Sequence, residues 1–476
     1  MPAPAYRYRD NPDAIRALVR PREVHRDVYI DDEVFRLEME HLFANTWVYA
    51  GHASQAPNLG DFITCEIGGQ PLLISRHTDG EIYVNYNRCA HKGTRIAGEP
   101  CGNAGKMFRC PYHGWAYRTD GSLLSVPLRK GYDGTGFEDT EMVRGLAPVK
   151  NFRVYRDFIF VKLNDGGPDF EEFFGDSLST IDNMVDRSPE GRLILEGAPL
   201  RYMHRCNWKM LVENQTDTCH PMVAHESSAG TAVKVWKETG RNDRHPAIEL
   251  LAPFTSTYKF YEEFGIRVWP NGHGHTGVTD SIHADYSEIP GYWDMMVDAY
   301  GEARAKAILG DIRHNTVYFP NIMVKGPIQT LRVFLPLAAD RTLVESWTFR
   351  LAGAPDQLFA RTLLYNRTIN APTSIVGHDD LEMYERIQTG LRADGHEWVN
   401  VQRLYDEDEE PDATVVVNGT SERQMRNQFN AWVRYMTLDM TGDMTGDMMG
   451  DMTGDVDPAA AALNPAPAAG AERPVA

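Results

Sequence analysis

The sequence predicts an α+β protein of two domains: a small all-β domain, then a larger mixed domain built on a central antiparallel sheet. Three observations carry this. Between residues 45 and 165, short runs of β-branched and aromatic residues recur between Gly- and Asn-containing turns. Between 313 and 351, three strand-like runs follow one another directly, with the alternation of a sheet that has one buried face. From 355 onward the apolar period becomes that of helices. A chain of 476 residues has room for two domains and a large core.

Residues 1–44 read as a helical segment packing on the larger domain. Its best helix, 31–43, opens with acids that suit a helix N-terminus, and Phe35, Met39, Leu42 and Phe43 share one face. The small domain is expected at 45–165. Its strands are expected at 47–50, 61–67, 71–75 and 82–86, with a hairpin turn at 117–123 and two more short strands within 154–163. The larger domain, 166–437, opens with a helix at 170–174. Strands are expected at 193–196 and at 254–260, the latter with Phe254, Tyr258 and Phe260 on one face. Strands at 313–324, 329–337 and 342–351 follow, then helices at 355–365, 373–391 and 421–436.

Residues 438–476 read as a disordered tail. Met-Thr-Gly-Asp recurs from Met440, Met444 and Met452, with a Met-Met-Gly-Asp variant from Met448. A period of four is not the nine of calcium-binding β-helix repeats. A helix here would carry a glycine every turn, at about 1 kcal/mol each relative to alanine.

The formal net charge of −19 argues against nucleic acid as a partner. Six cysteines in a chain this long are not a disulfide framework. The absence of a long apolar run or of a signal-peptide pattern at the start makes the cytoplasm the expected compartment, with no membrane partner.

The chemistry concentrates in two stretches. The first reads Cys89-x-His91, eighteen residues, then Cys110-x-x-His113. A Rieske [2Fe–2S] cluster needs this set, two cysteines on one iron and two histidines on the other. Each box is followed by a glycine, Gly93 or Gly114, which helps a loop bend around a cluster. A structural Cys₂His₂ zinc site is the bland alternative, but zinc boxes usually pair like with like, whereas both boxes here alternate. The boxes resemble the Rieske family, in its oxygenase branch rather than its respiratory branch. The respiratory branch places an extra cysteine in each box, where this chain has Thr94 and Tyr112, and a potential-raising serine where it has Trp115. The resemblance therefore implies fewer hydrogen bonds to the sulfurs and a lower reduction potential. Cys101, in the spacer, reads as a bystander thiol.

The second stretch runs from Asn207 to His225. Asp217 and His220, three apart, are expected on one helix face. His225 lies five beyond His220, about 140° around a regular helix. Pro221 disrupts the helix between them, and a local bulge or break there is expected to bring the imidazoles together. Two imidazoles and a carboxylate make the facial triad of non-haem Fe(II). Ordinary polar helix residues are the alternative. Beside the first signature, this stretch is similar to the catalytic motif of Rieske non-haem iron oxygenase large (alpha) subunits, which hydroxylate aromatic rings, including Asn207-Trp208-Lys209 and Glu213-Asn214. The resemblance implies that His220 and His225 bind iron with a distant aspartate. The best match is Asp380, with Asp379 second and Glu382 remote. It makes Asp217 a bridge between the two metal sites, not a ligand. Cys219 reads as packing, and His204, His314, His378 and His396 as surface or core histidines.

The resemblance further implies a helix-grip, START-like catalytic domain and a ring of three subunits, as a homotrimer or with a small beta subunit as α3β3. In that ring the cluster of one subunit faces the iron of its neighbour. O₂ and electrons from NAD(P)H would hydroxylate an organic, aromatic substrate to a cis-dihydrodiol or a monohydroxylated product, as in aromatic hydrocarbon catabolism. No Gly-x-Gly-x-x-Gly follows a strand, so the electrons are expected from a separate reductase, with or without a ferredoxin. Arg88, Lys92, Arg95, Arg109 and Arg118 offer a docking patch for an acidic carrier, with solvated loop cations as the alternative. Met222, Val223, Ile375 and Val376 are the expected substrate-pocket residues, and no arginine can be assigned to a substrate carboxylate. Three other readings stay open: a Rieske-type monooxygenase or demethylase with a non-aromatic substrate, a Rieske electron carrier without mononuclear iron, and a zinc-stabilised binding protein.

Overall fold

The computed structural model describes residues 6–440 except 242, 244 and 279–288. Most of the Met-Thr-Gly-Asp tail lies outside the described residues; Leu438–Met440 form one 3₁₀ turn at its start.

The first 44 residues are not wholly helical as expected. Strands β1 (Val19–Arg20) and β2 (Glu23–His25) form a hairpin. Pro21, between them, denies a helix its donor, and Val19 and Val24 pair across the hairpin. Asp31 then caps the helix Asp32–Leu37, accepting from the amides of Glu33 and Val34. That helix widens into a π turn at Glu38–Leu42. Glu38 is fully buried and accepts from the indole N–H groups of Trp208 (2.9 Å) and Trp432 (2.7 Å), while pairing with Lys209. Asn207 caps the helix Trp208–Asn214 and donates to the carbonyls of Tyr29 and Ala339. The Asn-Trp-Lys stretch is therefore an anchor: it pins the segment leading to the second histidine pair onto the N-terminal segment.

The small module is built from β3 (Val48–His52), β4 (Asp61–Ile67), β5 (Gln70–Arg76), β6 (Ile82–Tyr86), β7 (Cys101–Asn103), β8 (Met107–Arg109), β9 (Ala116–Arg118), β10 (Leu123–Ser125), β11 (Asn151–Tyr155) and β12 (Phe158–Lys162). They form antiparallel sheets in the orders β6-β5-β4-β7, β10-β9-β8 and β11-β12-β3. Every strand expected from the sequence is present, and β9–β10 is the expected hairpin.

The larger module holds β13 (Leu193–Leu195), β14 (Leu200–His204), β15 (Ile266–Val268), β16 (Gly274–Thr276), β17 (Thr316–Tyr318), β18 (Ile322–Lys325), β19 (Thr330–Ala338), β20 (Arg341–Leu351), β21 (Trp398–Asn400) and β22 (Val415–Val417). Nine of them form one antiparallel sheet, β13-β20-β19-β18-β17-β16-β15-β22, with β14 also on β20; β21 instead pairs with β2. The helices Gly377–Gly390 and Arg423–Thr437 lie against it. The expected strand at 313–324 is two strands, because Pro320 cannot donate to a ladder. The expected strand at 254–260 is helical: a 3₁₀ turn at Ala252–Thr255, then the helix Tyr258–Phe264 capped by Thr257. Its aromatics fall at 258, 261 and 264, a helical spacing that outweighs the alternation of 258 and 260.

One apolar core joins both modules: Val48, Tyr49 and Phe158 from the small one pack in the same cluster as Phe174, Trp208 and Phe349 from the large one. Tyr49 and Asn321 exchange two hydrogen bonds of 3.1 Å between them. A second, separate core surrounds Cys89, Cys110, Trp115 and Tyr117.

Candidate metal centres

The two Cys/His boxes fold into loops of the same construction. The Cys89 amide donates to the Thr94 carbonyl (2.8 Å) and the Gly93 amide to the Cys89 carbonyl (2.9 Å). In the second box, the Cys110 amide donates to Trp115 (2.8 Å) and the Gly114 amide to Cys110 (3.1 Å). Both glycines sit at positive φ, +77° and +71°, where a side chain is strained. Asn87, buried, clamps the first loop by accepting from the amides of Ile96 and Ala97.

The donors divide by burial. Cys89 and Cys110 are inside, His91 is half-buried and His113 is exposed. The imidazoles lie 4.7 Å apart, and His91 stacks flat on Trp115 at 4.8 Å. His91 Nδ1 is buried without a hydrogen-bond partner among the described residues, as an atom reserved for a metal is. Burial pushes the Cys110 thiol up, but the amides of Tyr112 and His113 and the neighbouring Cys89 bring it below its usual value, which favours the thiolate ligand. Among the described residues, the four donors are not a set converging within 4.8 Å of one another; His220, His225 and Asp380 are. A single zinc ion needs convergence, whereas a two-iron cluster spreads its ligands over two metals. These residues fit the cluster.

Sequence reasoning missed Tyr117. Its hydroxyl lies 3.1 Å from Cys89 Sγ and accepts from the Ala90 amide. A donor on a cluster sulfur stabilises the reduced, more negative state. Tyr117→Phe is expected to keep the cluster but lower its reduction potential; a difference of about 1 kcal/mol between redox states is about 40 mV for one electron. An EPR-monitored redox titration reads this directly.

At the second site, Asp217 and His220 do not share a helix. The helix Trp208–Asn214 stops short of both, and the next, Pro221–Ala224, begins after them. Between the two histidines lies the single turn Pro221–Ala224, and His225 breaks from it at φ −100°, ψ 9°; this break, one of the two expected forms, leaves the imidazoles 5.4 Å apart between ring centres. Asp380 Oδ1 lies 3.7 Å from His220 Nε2 and 3.5 Å from His225 Nε2. Each histidine turns its other nitrogen to a carboxylate: His220 Nδ1 is 3.6 Å from Asp217, and His225 Nδ1 is 3.2 Å from Asp379. Asp379 also accepts from Ser228. A metal-binding imidazole is commonly oriented in this way. Burial would raise the Asp217 carboxyl, but His220 and the amides of Cys219 and His220 hold it below the usual carboxylate value. Cys219 accepts from Arg403 at 2.7 Å and stays outside the set. Two imidazoles and one carboxylate within 4.8 Å fit a non-haem ferrous ion.

A cavity opens beside this triad, floored by the large sheet and roofed by the helices around it. Of the four expected pocket residues, Val376 lines it; Met222, Val223 and Ile375 do not. Val223 and Ile375 point to solvent, because neighbours in sequence on a helix or turn face different ways. The cavity's apolar surface comes instead from Phe254, Tyr261, Phe264, Met323, Tyr365 and Ile369. His204 and His314, expected as surface or core residues, also line it, with Lys325 and Arg332. His378 is 3.2 Å from Asp379.

The two sets of donors are those of a protein with a Rieske cluster and a separate mononuclear iron. Residues 46–150 match the family described as Rieske [2Fe-2S] domain, and residues 193–439 match the ring hydroxylating alpha subunit (catalytic domain). The toluate 1,2-dioxygenase alpha subunit of Pseudomonas putida is 31% identical, over 78% of this chain and 79% of its own. The anthranilate 1,2-dioxygenase large subunit of Acinetobacter baylyi is 30% identical over 80% of each chain. A crystal structure of naphthalene 1,2-dioxygenase shares the fold, with a TM-score of 0.70, 23% identity, and 87% of this chain and 92% of that one covered. This chain belongs to the ring-hydroxylating oxygenase alpha-subunit family. It is an oxidoreductase with a [2Fe–2S] cluster and a mononuclear iron as its cofactors. No helix among the described residues is long and apolar enough to cross a membrane.

Proposed function

We propose that this protein is the terminal oxygenase of a multicomponent system. It uses O₂ and electrons from NAD(P)H, passed on by a separate reductase with or without a ferredoxin, to hydroxylate a small aromatic substrate. The observation that carries this is the placement of His220, His225 and Asp380 at the wall of a cavity that Phe254, Tyr261, Phe264, Met323, Tyr365 and Ile369 line on its apolar side. The free space is about 100 Å³. That is nearer the ~150 Å³ of a cavity that takes benzene than a space for fused rings. A single-ring substrate fits this scale, as do the substrates named for the two relatives.

In this reading Cys89, His91, Cys110 and His113 hold the cluster, and His220, His225 and Asp380 hold the iron. Bound there, the iron supplies the redox chemistry of oxygen activation. Around it, Asp379 orients His225, and Asp217 holds His220 on one side. On its other side Asp217 reaches a cluster histidine of a neighbouring subunit in a trimeric ring, with or without a beta subunit. Supporting that ring, Tyr112 and Leu128 of the small module are 65% and 90% exposed, apolar surface of the kind an interface covers. Arg88, Lys92, Arg95, Arg109 and Arg118 are all exposed, with no ion-pair partner among the described residues, which supports docking of an acidic electron carrier. The domain division at 45–165 and 166–437 is part of the proposal, supported by the separate sheets.

The test is metal analysis with low-temperature EPR on reduced protein, followed by oxygen uptake with single-ring aromatics. About three irons per chain and a Rieske signal, with substrate-dependent uptake, are expected. A cluster with about two irons, and no ferrous site restored on reconstitution, would instead mark an electron carrier.

A further inference from the structure

The cavity is lined by a lysine and an arginine that form no ion pair among the described residues; the carboxylate whose charge acts on Arg332 is Asp380 of the iron site. Lys325 is 2% exposed; its ammonium lies 2.8 Å from His314 Nε2 and 4.7 Å from the centre of the Tyr365 ring. Arg332 donates to Gln215 Oε1 at 3.1 Å and to the Tyr202 hydroxyl at 3.4 Å, while its Nε is buried without a partner among the described residues. No Asp or Glu among the described residues comes within ion-pair distance of either. The other buried cations among the described residues each have close acceptors: Lys209 has Glu38, Arg423 and Arg426 share Glu409, Lys162 has three carbonyls, and Arg187 has Asn183 Oδ1 and the Asp311 carbonyl. Lys325 is buried and Arg332 half-buried, and with no counter-charge at ion-pair distance an anion entering the cavity would meet both.

The sheet places both on the same face. Met323 and Arg332 are register partners on β18 and β19, and Lys325 follows Met323 by two. We propose that Lys325 and Arg332 form a subsite for a carboxylate on the aromatic substrate, so that the substrate is an aromatic acid rather than a hydrocarbon. This rests on the oxygenase reading above. The arginine fork matches a planar carboxylate, and Lys325 adds a point charge beside it. Phe254, Phe264 and Ile369 offer the ring an apolar bed. The subsite is tied to the metal site through side chains: Gln215 donates to Asn214 Oδ1 at 3.3 Å, and the Asn214 amide lies 3.1 Å from His220 Nε2. Burial and the charge of Arg332 push the Lys325 amine well below its usual value, and an anion beside it restores the proton.

The test is calorimetric binding of benzoate and of its neutral isostere benzamide to the iron-loaded enzyme, with oxygen uptake measured for both. Benzoate is expected to bind at least about tenfold tighter, the scale of one charge-assisted hydrogen bond. Arg332→Gln and Lys325→Met are each expected to remove about tenfold of benzoate affinity and leave benzamide affinity unchanged, with Arg332→Lys intermediate. Iron content and the cluster spectrum report that the variants are folded. Equal affinity for acid and amide in the unaltered enzyme, or no benzoate binding, overturns the subsite without recourse to a variant. Selective benzoate binding without oxygen uptake upholds the subsite and removes the oxygenase reading. Uptake with both probes at equal affinity does the reverse.

Discussion

A His225→Ala variant is expected to carry about two irons per chain instead of about three, with its Rieske EPR signal intact and its turnover lost. The imidazole removed is one of three donors within 4.8 Å, and two donors do not hold a ferrous ion against water. The cluster donors sit on separate loops around their own apolar core, so they are untouched. The same experiment decides between the paired acids. Asp380 Oδ1 faces both Nε2 atoms, whereas Asp379 faces Nδ1 of His225, the Ser228 hydroxyl and His378, and neither Nε2 of the pair. Asp380→Ala is therefore expected to match His225→Ala, while Asp379→Asn weakens iron binding by about 10–100-fold, as losing a ligand's orienting partner does. Iron loss in Asp379→Ala together with iron retention in Asp380→Ala would reverse the assignment.

Asp217→Asn is expected to retain the cluster and the iron yet cut steady-state turnover by about a hundredfold or more, the upper end of the effect of losing an orienting carboxylate. The carboxamide has nearly the shape of the carboxylate, so the linker between the two helices keeps its course. What is lost is the negative charge 3.6 Å from His220 Nδ1, which stabilises that imidazole electrostatically as electrons arrive. Metal content, the EPR signal and oxygen uptake coupled to product measure the separation. Full activity in this variant would exclude the bridging role.

Much of the metal chemistry is written locally and was legible for that reason. Four cluster donors lie within twenty-five residues, each box ending in a glycine whose positive φ the loop requires. The order of strands in the small module follows from alternation between turns. The mistaken elements each involve a local signal with a competitor. Phe254, Tyr258 and Phe260 satisfy a strand pattern over a few residues, but Tyr261 and Phe264 extend the helical one. Val19 and Val24 form a hairpin because β21, some 370 residues later, supplies its third strand. No local pattern in the first 44 residues contains that partner.

By itself, the amino-acid sequence determined the two-module α+β architecture, the Cys/His boxes and the histidine pair, because each depends on spacing within a few turns of chain. Only the tertiary structure decided which aspartate meets the histidines, that Tyr117 reaches Cys89, and that Lys325 and Arg332 enter the same cavity as His220. Those contacts join residues tens to more than a hundred and fifty positions apart. They exist because a nine-stranded sheet turns alternate side chains to one face and the helices close over it. The electrostatics of the cavity follow from that closure, since a cation needs a counter-charge only once water has been removed from around it.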